Sequence, residues 1–422
     1  MVKRSNVGKG KDILEGDGAT VPQAAFLEEL YKEVDKDFDG LDRADDEYGL
    51  WCPTGSSALD FILTDELKGG GWPFGRLVEI YGNSTTGKSM LGLLALKKTI
   101  HQLGGVGLLV DVENSLVAKF YRMLGGDPHL LAVKQPEYIE DVYTFISKFV
   151  ERVRSKSKNI PLTIVYDSLP ASICFAEYKL GGVVGKPDMS KRALAHRQGY
   201  REMLRITKRT PTLFICINSL IATMAKFGPD QTTVGGTGPK LWSTIRVHLM
   251  NGKKLYMGKA GKVATYDKEA VKGSQRLIGM RSMLEIEKTR FTPPFRRIGF
   301  DILYRGGIHP YSGWFDALQM HSDAFQPAFT KDGKERAGYF VPSGTKRDDK
   351  DYTGKIFTAN TFYKALPTMP GLITDYPFDP DFGLPDDSQL ITVDVGPDGK
   401  EEEVDREESG NHAAKPASAD EV

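Results

Sequence analysis

The hydrophobic pattern divides the chain into blocks of different period. Four short apolar runs stand out, over residues 77–81, 107–112, 162–167 and 213–218. Each is nearly continuous, not alternating, which is how strands buried on both faces read. Residues 90–99 suit a helix, and 142–153 alternate apolar and polar positions as an amphipathic helix does. Strands interleaved with helices predict an α/β protein with a mostly parallel central sheet, its ligands at the carboxyl ends of the strands. Three later segments, 245–250, 283–287 and 298–304, alternate as strands and extend that sheet. Upstream, Phe26, Leu27, Leu30, Tyr31 and Val34 recur at helical spacing behind Pro22. That predicted helix over 22–35 is cut off from the core by an acidic stretch, which suits it to packing on a neighbouring molecule.

The same pattern sets the domain organisation. Residues 1–50 form an N-terminal arm and linker, 51–312 the core, and 313–386 a small C-terminal domain where periodicity is weak. Residues 387–422 form an acidic tail. Beyond Gly396 that tail carries nine Asp/Glu against three Lys/Arg and almost no large apolar side chain, a composition that predicts disorder. The polar, glycine-rich residues 1–20 read as mobile for the same reason. Asp35, Asp37, Asp39 and Gly40 resemble the first half of a calcium-binding loop. The twelfth position is Asp46 where a bidentate Glu is wanted, and no exit helix follows, so the stretch reads as a solvated acidic linker.

Composition narrows the function classes. The 56 basic and 56 acidic residues balance, so contact with nucleic acid must use local patches. Cys52, Cys174 and Cys216 show no C-x-x-C spacing, which argues against a zinc site or disulfide framework and suits a reducing cytoplasm. No apolar run is long enough to span a membrane, and no secretory leader is legible.

The candidate chemistry centres on Gly82-Asn83-Ser84-Thr85-Thr86-Gly87-Lys88-Ser89, a G-x-x-x-x-G-K-[ST] loop between a strand and a helix. Gly82 and Gly87 let the backbone form a nest of inward N–H groups, and the following helix adds its positive end. Lys88 is placed to neutralise the β- and γ-phosphates of a nucleotide, and Ser89 to hold Mg²⁺. Asp167, closing an apolar strand, is the expected second support for Mg²⁺. Glu113, ending the strand after the loop's helix, is the candidate base for the attacking water. Asn218 and Ser219 are candidates to sense a γ-phosphate, with structural capping the alternative.

Two stretches suit nucleic acid. Residues 186–209 carry eight Lys/Arg against two acids behind a glycine-rich loop at 181–187, with a solvated helix face the alternative reading, and 222–240 are rich in Gly and Thr. Backbone N–H groups, hydroxyls and lysines suit phosphate contacts without sequence readout. A third stretch, 251–273, holds six lysines and reads either as a secondary contact or as an exposed hairpin.

Taken in order, the phosphate loop with its leading strand, Leu109-Val-Asp-Val-Glu113, Ile164-Val-Tyr-Asp-Ser168, Phe214-Ile-Cys-Ile-Asn218, Val234-Gly-Gly-Thr-Gly-Pro-Lys240 and Ile286-Glu-Lys-Thr-Arg290 resemble the RecA family of recombinases, in a phage-type or otherwise divergent form. The resemblance covers roughly residues 50–320. It implies a RecA-like P-loop NTPase core with an N-terminal helical arm and a small C-terminal domain. It also implies ATP and Mg²⁺ as ligands, single-stranded and homologous double-stranded DNA as partners, and a homo-oligomeric helical filament. Single-strand-binding or loading proteins are further candidate partners, and the host cytoplasm is the expected location if the gene is a phage's. By position, Glu113 is like the catalytic glutamate and Phe120 like an aromatic that packs on adenine. The stretch with Met189, Lys191, Arg192 and Arg197 is similar to a first DNA-binding loop. That with Lys226, Gly235, Gly236 and Lys240 is similar to a second. Lys288 and Arg290 correspond to cations that reach a neighbour's ATP. The chain departs from the family at Ser219, where a longer glutamine is usual, at Val117 on the adenine side, and at Leu241. A ring-forming helicase or an ATP-binding accessory factor of the same fold is the alternative reading.

Overall fold

In a computed structural model, the structure describes residues 49–66, 69–179, 189–208, 210–223, 230–257, 263–265, 277–304, 306–309, 312–321, 325–329, 335–342, 346–347, 350–351, 392–395 and 401–404. The expected helix at 22–35, the acidic linker and the glycine-rich loop at 181–187 lie outside them. The described residues belong to the unit that begins at Gly49.

In chain order the elements are β1 (Trp51–Cys52), α1 (Ser57–Thr64), β2 (Trp72–Pro73), β3 (Leu77–Gly82), α2 (Lys88–His101), β4 (Val106–Asp111), α3 (Ala118–Met123), β5 (Leu131–Lys134) and α4 (Ile139–Lys156). There follow β6 (Leu162–Asp167), α5 (Phe175–Lys179), α6 (Met189–Thr207), β7 (Thr212–Ala222), β8 (Gln231–Thr233), α7 (Thr237–Trp242) and β9 (Ile245–Met257). The last of the core are β10 (Val263–Thr265), β11 (Leu277–Lys288), β12 (Arg297–Leu303), β13 (Gly307–Ile308) and α8 (Trp314–His321).

The main sheet runs β13-β12-β11-β9-β3-β7-β6-β4-β5, with β8 on β7 and β10 on β9. From β9 to β5 every neighbour is parallel, and from β9 outward to β13 every neighbour is antiparallel. The period of two explains how it packs. Val78, Ile80, Ile215, Ile217, Val247 and Leu249 face one apolar cluster with α1, α2 and α8. Leu77, Phe214, Cys216 and Tyr166 face a second with α4 and α6. Helix α4 suits its ends, with Glu140 and Asp141 in its first turn and Arg154 and Lys156 in its last. The Arg154 guanidinium then ties together the carbonyls of Ile160 and Pro211, at 2.7 and 3.1 Å.

Several expectations change. Met189 to Arg197, similar to a first DNA-binding loop, is the start of a 19-residue helix, in line with the helix-face alternative. The second stretch contains a strand and a helix, β8 and α7. Strand β7 runs on to Ala222, so Asn218 lies inside it and not at its end, while Glu113 stands two residues beyond β4. Residues 251–257 continue β9, and β10 pairs back on it antiparallel, which fits the hairpin alternative for this part of the lysine-rich stretch. Core packing runs past residue 312. Trp314 is fully buried, its indole N–H donates to Ser57 Oγ at 2.7 Å, and its ring lies against Phe61. In the acidic tail expected over 387–422, Thr392–Val395 pairs with Glu401–Val404. Most of 313–386 lies outside the described residues.

Candidate nucleotide and nucleic-acid sites

The loop at the end of β3 is held by close backbone approaches. A Cβ on Gly82 would stand 2.0 Å from the Leu249 carbonyl oxygen of β9, so only glycine lets the two strands meet there. Gly87 has φ of 94° and caps α2, leaving the helix's first N–H groups turned toward the loop. Thr86 is fully buried, and its hydroxyl donates to the Asn83 carbonyl at 3.0 Å. From behind, Ser282 Oγ of β11 donates to the Thr86 carbonyl at 2.8 Å. Asn83, Ser84 and Thr85 are exposed. The Lys88 ammonium donates to the Asn83 carbonyl at 2.6 Å. Burial lowers its pKa, opposed by Asp167 and Glu113.

Three carboxylates stand at or beside the adjacent strand ends. Asp167 is buried, and burial pushes it up to about 6, with the bond from the Ser89 hydroxyl pulling the other way and the charges of Glu113 and Asp111 adding to the rise. Glu113 is exposed and accepts a bond from the Ser168 hydroxyl. Asp111 is the organiser that sequence reasoning missed. It is buried and accepts from Ser115 N, Ser115 Oγ and Leu116 N, which folds residues 112–116 back and sets Glu113 beside β6. Val112 N completes the turn on the Asp167 carbonyl at 2.9 Å. The signal was an Asp followed four residues later by Ser, a side-chain-capped turn. Ser89 and Asp167, one hydroxyl and one underneutralised carboxylate, fit a nucleotide-borne Mg²⁺, which takes few protein ligands and leaves the rest to phosphate and water. Phe120 is half-buried on α3 and packs against the main core.

Asn218 is a brace. Its amide donates to Glu79 Oε1 and to the Val234 carbonyl, both at 2.8 Å, and its oxygen accepts from Val234 N and Ser219 N. Ser219 lies level with Gly82 in the β3–β7 register.

The two stretches picked for nucleic acid are brought together. A Cβ on Gly236 would lie 3.0 Å from Ala193 Cβ, and one on Gly238 3.1 Å from Arg197 Cα, so α7 sits directly on α6. Gly235 and Gly236 have φ of 93° and 65°, which serve the turn into α7. Arg192 is not a free phosphate ligand, because its guanidinium is bidentate on Glu177 at 2.6 and 2.8 Å and ties α6 to α5. Arg197 is exposed, Lys191 is half-buried, and Lys240 donates to Thr232 Oγ1 at 3.0 Å. Lys226 lies outside the described residues, as does the side chain of Met189. Lys288 donates to the carbonyls of Lys240 and Leu241 at the end of α7, at 3.0 and 2.9 Å, whereas Arg290 is exposed.

A phosphate-type nest at the end of a central parallel strand, with an acid on β6, one strand beyond β7, and a second beside it, defines a P-loop nucleoside triphosphatase core. A family model of the RecA N-terminal domain matches residues 44–309, and the chain belongs to that family. Protein RecA of Petrotoga mobilis is 29% identical over 306 residues, covering 70% of this chain and 74% of the relative. Protein RecA of Chlorobaculum tepidum is 33% identical over 258 residues, covering 60% and 66%. That of Tropheryma whipplei is 31% identical over 265 residues, covering 63% and 54%. The last two spans are less than two thirds of the relatives' own length. Among the described residues no helix is long and apolar enough to cross a membrane.

Proposed function

We propose that the chain is an ATP-dependent DNA recombinase that polymerises on single-stranded DNA, aligns it with homologous duplex and exchanges strands. The observation that carries this reading is the meeting of Lys88, Ser89, Asp167 and Glu113 at one end of a RecA-family sheet. The loop N–H groups and Lys88 hold the β- and γ-phosphates, Lys88 exchanging its Asn83 carbonyl for phosphate oxygen. Ser89 and Asp167 would hold Mg²⁺, which would neutralise charge on the phosphates. Glu113, steadied by Ser168, orients a water and accepts its proton as the oxygen attacks the γ-phosphorus and the bond to ADP breaks.

Lys288 and Arg290 serve the nucleotide of the next protomer, so hydrolysis is fast only in a polymer. Helices α6 and α7 present Arg197 and Lys240 to the DNA backbone, and base pairing alone reads homology. The test is electron microscopy of the chain with a non-hydrolysable ATP analogue, with and without single-stranded DNA. Helical filaments are expected, with DNA-stimulated ATP hydrolysis that Lys88→Ala abolishes. Closed rings, or undiminished hydrolysis in that variant, overturn the reading.

A further inference from the structure

A row of polar side chains crosses the sheet on the face of the second apolar cluster. It starts at Asn218 on β7, passes to Glu79 on β3 and then to Arg246 on β9, whose Nε donates to Glu79 Oε2 at 2.5 Å. Arg246 continues to Glu287 on β11, at 2.7 Å, and the Tyr81 hydroxyl donates to the same Glu287 oxygen at 2.6 Å. The Arg246 guanidinium also lies 4.9 Å from the centre of the Tyr81 ring. Glu79 and Arg246 are buried, and burial pushes the Glu79 carboxyl up against the pull of Arg246. An ion pair in such a place adds little stability over an apolar pair of the same size; what it fixes is geometry. Here it fixes four strands whose exposed ends do different things. At one end Asn218 grips Val234, the last residue before the turn into α7. At the other, Glu287 immediately precedes Lys288, which returns to the carbonyls closing α7. The circuit is closed.

We propose that Glu287, clamped by Arg246 and Tyr81, is a positioning residue for Lys288 and Arg290, and that the row from Asn218 to Glu287 makes α7 and this cationic pair move as one. The inference rests on the reading of Lys288 and Arg290 as cations supplied to a neighbour's nucleotide. It gives the chain a link between its own phosphate loop, level with Ser219, and the pocket of the next protomer. Glu287 is half-exposed, so its removal leaves no buried cavity.

The experiment uses the full chain carrying Glu287→Ala or Glu287→Gln. In the Ala variant, amides of residues 237–242 exchange faster without nucleotide or DNA, and DNA-stimulated ATP turnover falls at least about fivefold while nucleotide affinity of the unassembled chain holds. The Gln variant, which still accepts both hydrogen bonds, recovers most of the rate. Chains carrying both Lys88→Ala and Glu287→Ala depress unaltered subunits in mixed filaments more than Lys88→Ala chains do, because the misplaced cations belong to the neighbour's pocket. Full turnover in Glu287→Ala, or equal depression by the two mixed partners, overturns the proposal. An unaltered chain without DNA-stimulated turnover overturns the recombinase reading itself, and the exchange measurement separates that failure from this one.

Discussion

Asp167 shows how a single residue carries both a cost and a use. Its carboxyl ordinarily titrates near 3.8, and burial raises it to about 6. The folded chain therefore binds this proton more tightly than the unfolded chain, and the charged form costs stability above the folded value. Asp167→Asn should raise the melting temperature at about pH 7.5, and the gain should shrink as pH falls through about 6 and vanish below about 4, read by thermal unfolding across that range. Mg²⁺-dependent nucleotide affinity should show the opposite demand, weakening in the unaltered chain as Asp167 takes up its proton and lost in the variant at every pH. Lys88 and Ser89 were legible in sequence because their spacing along one strand–turn–helix unit is local, and Asp167 because it closes a separate, uninterrupted apolar strand. Asn218 was legible only as an alternative. Its commitment to Glu79 and Val234 comes from neighbours 139 residues upstream and 16 residues downstream, which no window of sequence brings together.

Among the elements, β6 fell on the expected residues, because a strand buried on both faces has an uninterrupted apolar signal with sharp ends. Helix α6 follows the helical alternative for the basic stretch and not the loop that the resemblance implies. Its many Lys and Arg flank His196, Tyr200, Met203 and Ile206, a buried stripe at helical spacing. Strands β7, β9 and β11 outran their expected ends because partners, not propensity, extend them: β8, β10 and the β9–β11 pairing continue the ladder into polar sequence. Two predictions belong here. Gly82→Ala forces a methyl into the Leu249 carbonyl, and should destabilise the chain by more than about 3 kcal/mol in denaturant unfolding. Arg192 and Arg197 lie five residues apart on α6 but differ in role. Arg197→Ala should lower the salt slope of single-stranded DNA binding by about one unit, whereas Arg192→Ala should loosen α5 against α6 and leave the slope unchanged.

On the scale of the whole molecule, balanced total charge conceals an uneven distribution. The final residues are strongly acidic, and α6 and α7 bring the exposed cations Arg197 and Lys240 onto neighbouring surfaces. A tail of that sign competes with DNA for a basic surface. Removing residues after Gly396 should tighten single-stranded DNA binding, most at low salt, where screening is weakest, as measured by fluorescence anisotropy across a salt series. Equal affinity with and without the tail at low salt would show that it plays no part.

Strand β11 touches its own phosphate loop through Ser282 and offers Lys288 six residues further along. An extended backbone over that interval measures about 20 Å. On the proposed role of Lys288, the strand would work as a ruler: in a stack of identical copies it would set the offset from each copy's own fuel pocket to the reach toward the following one. Copies built on the same ruler would share one pitch. A single residue inserted between the two marks would turn the far end to the opposite face and lengthen every step of the stack at once.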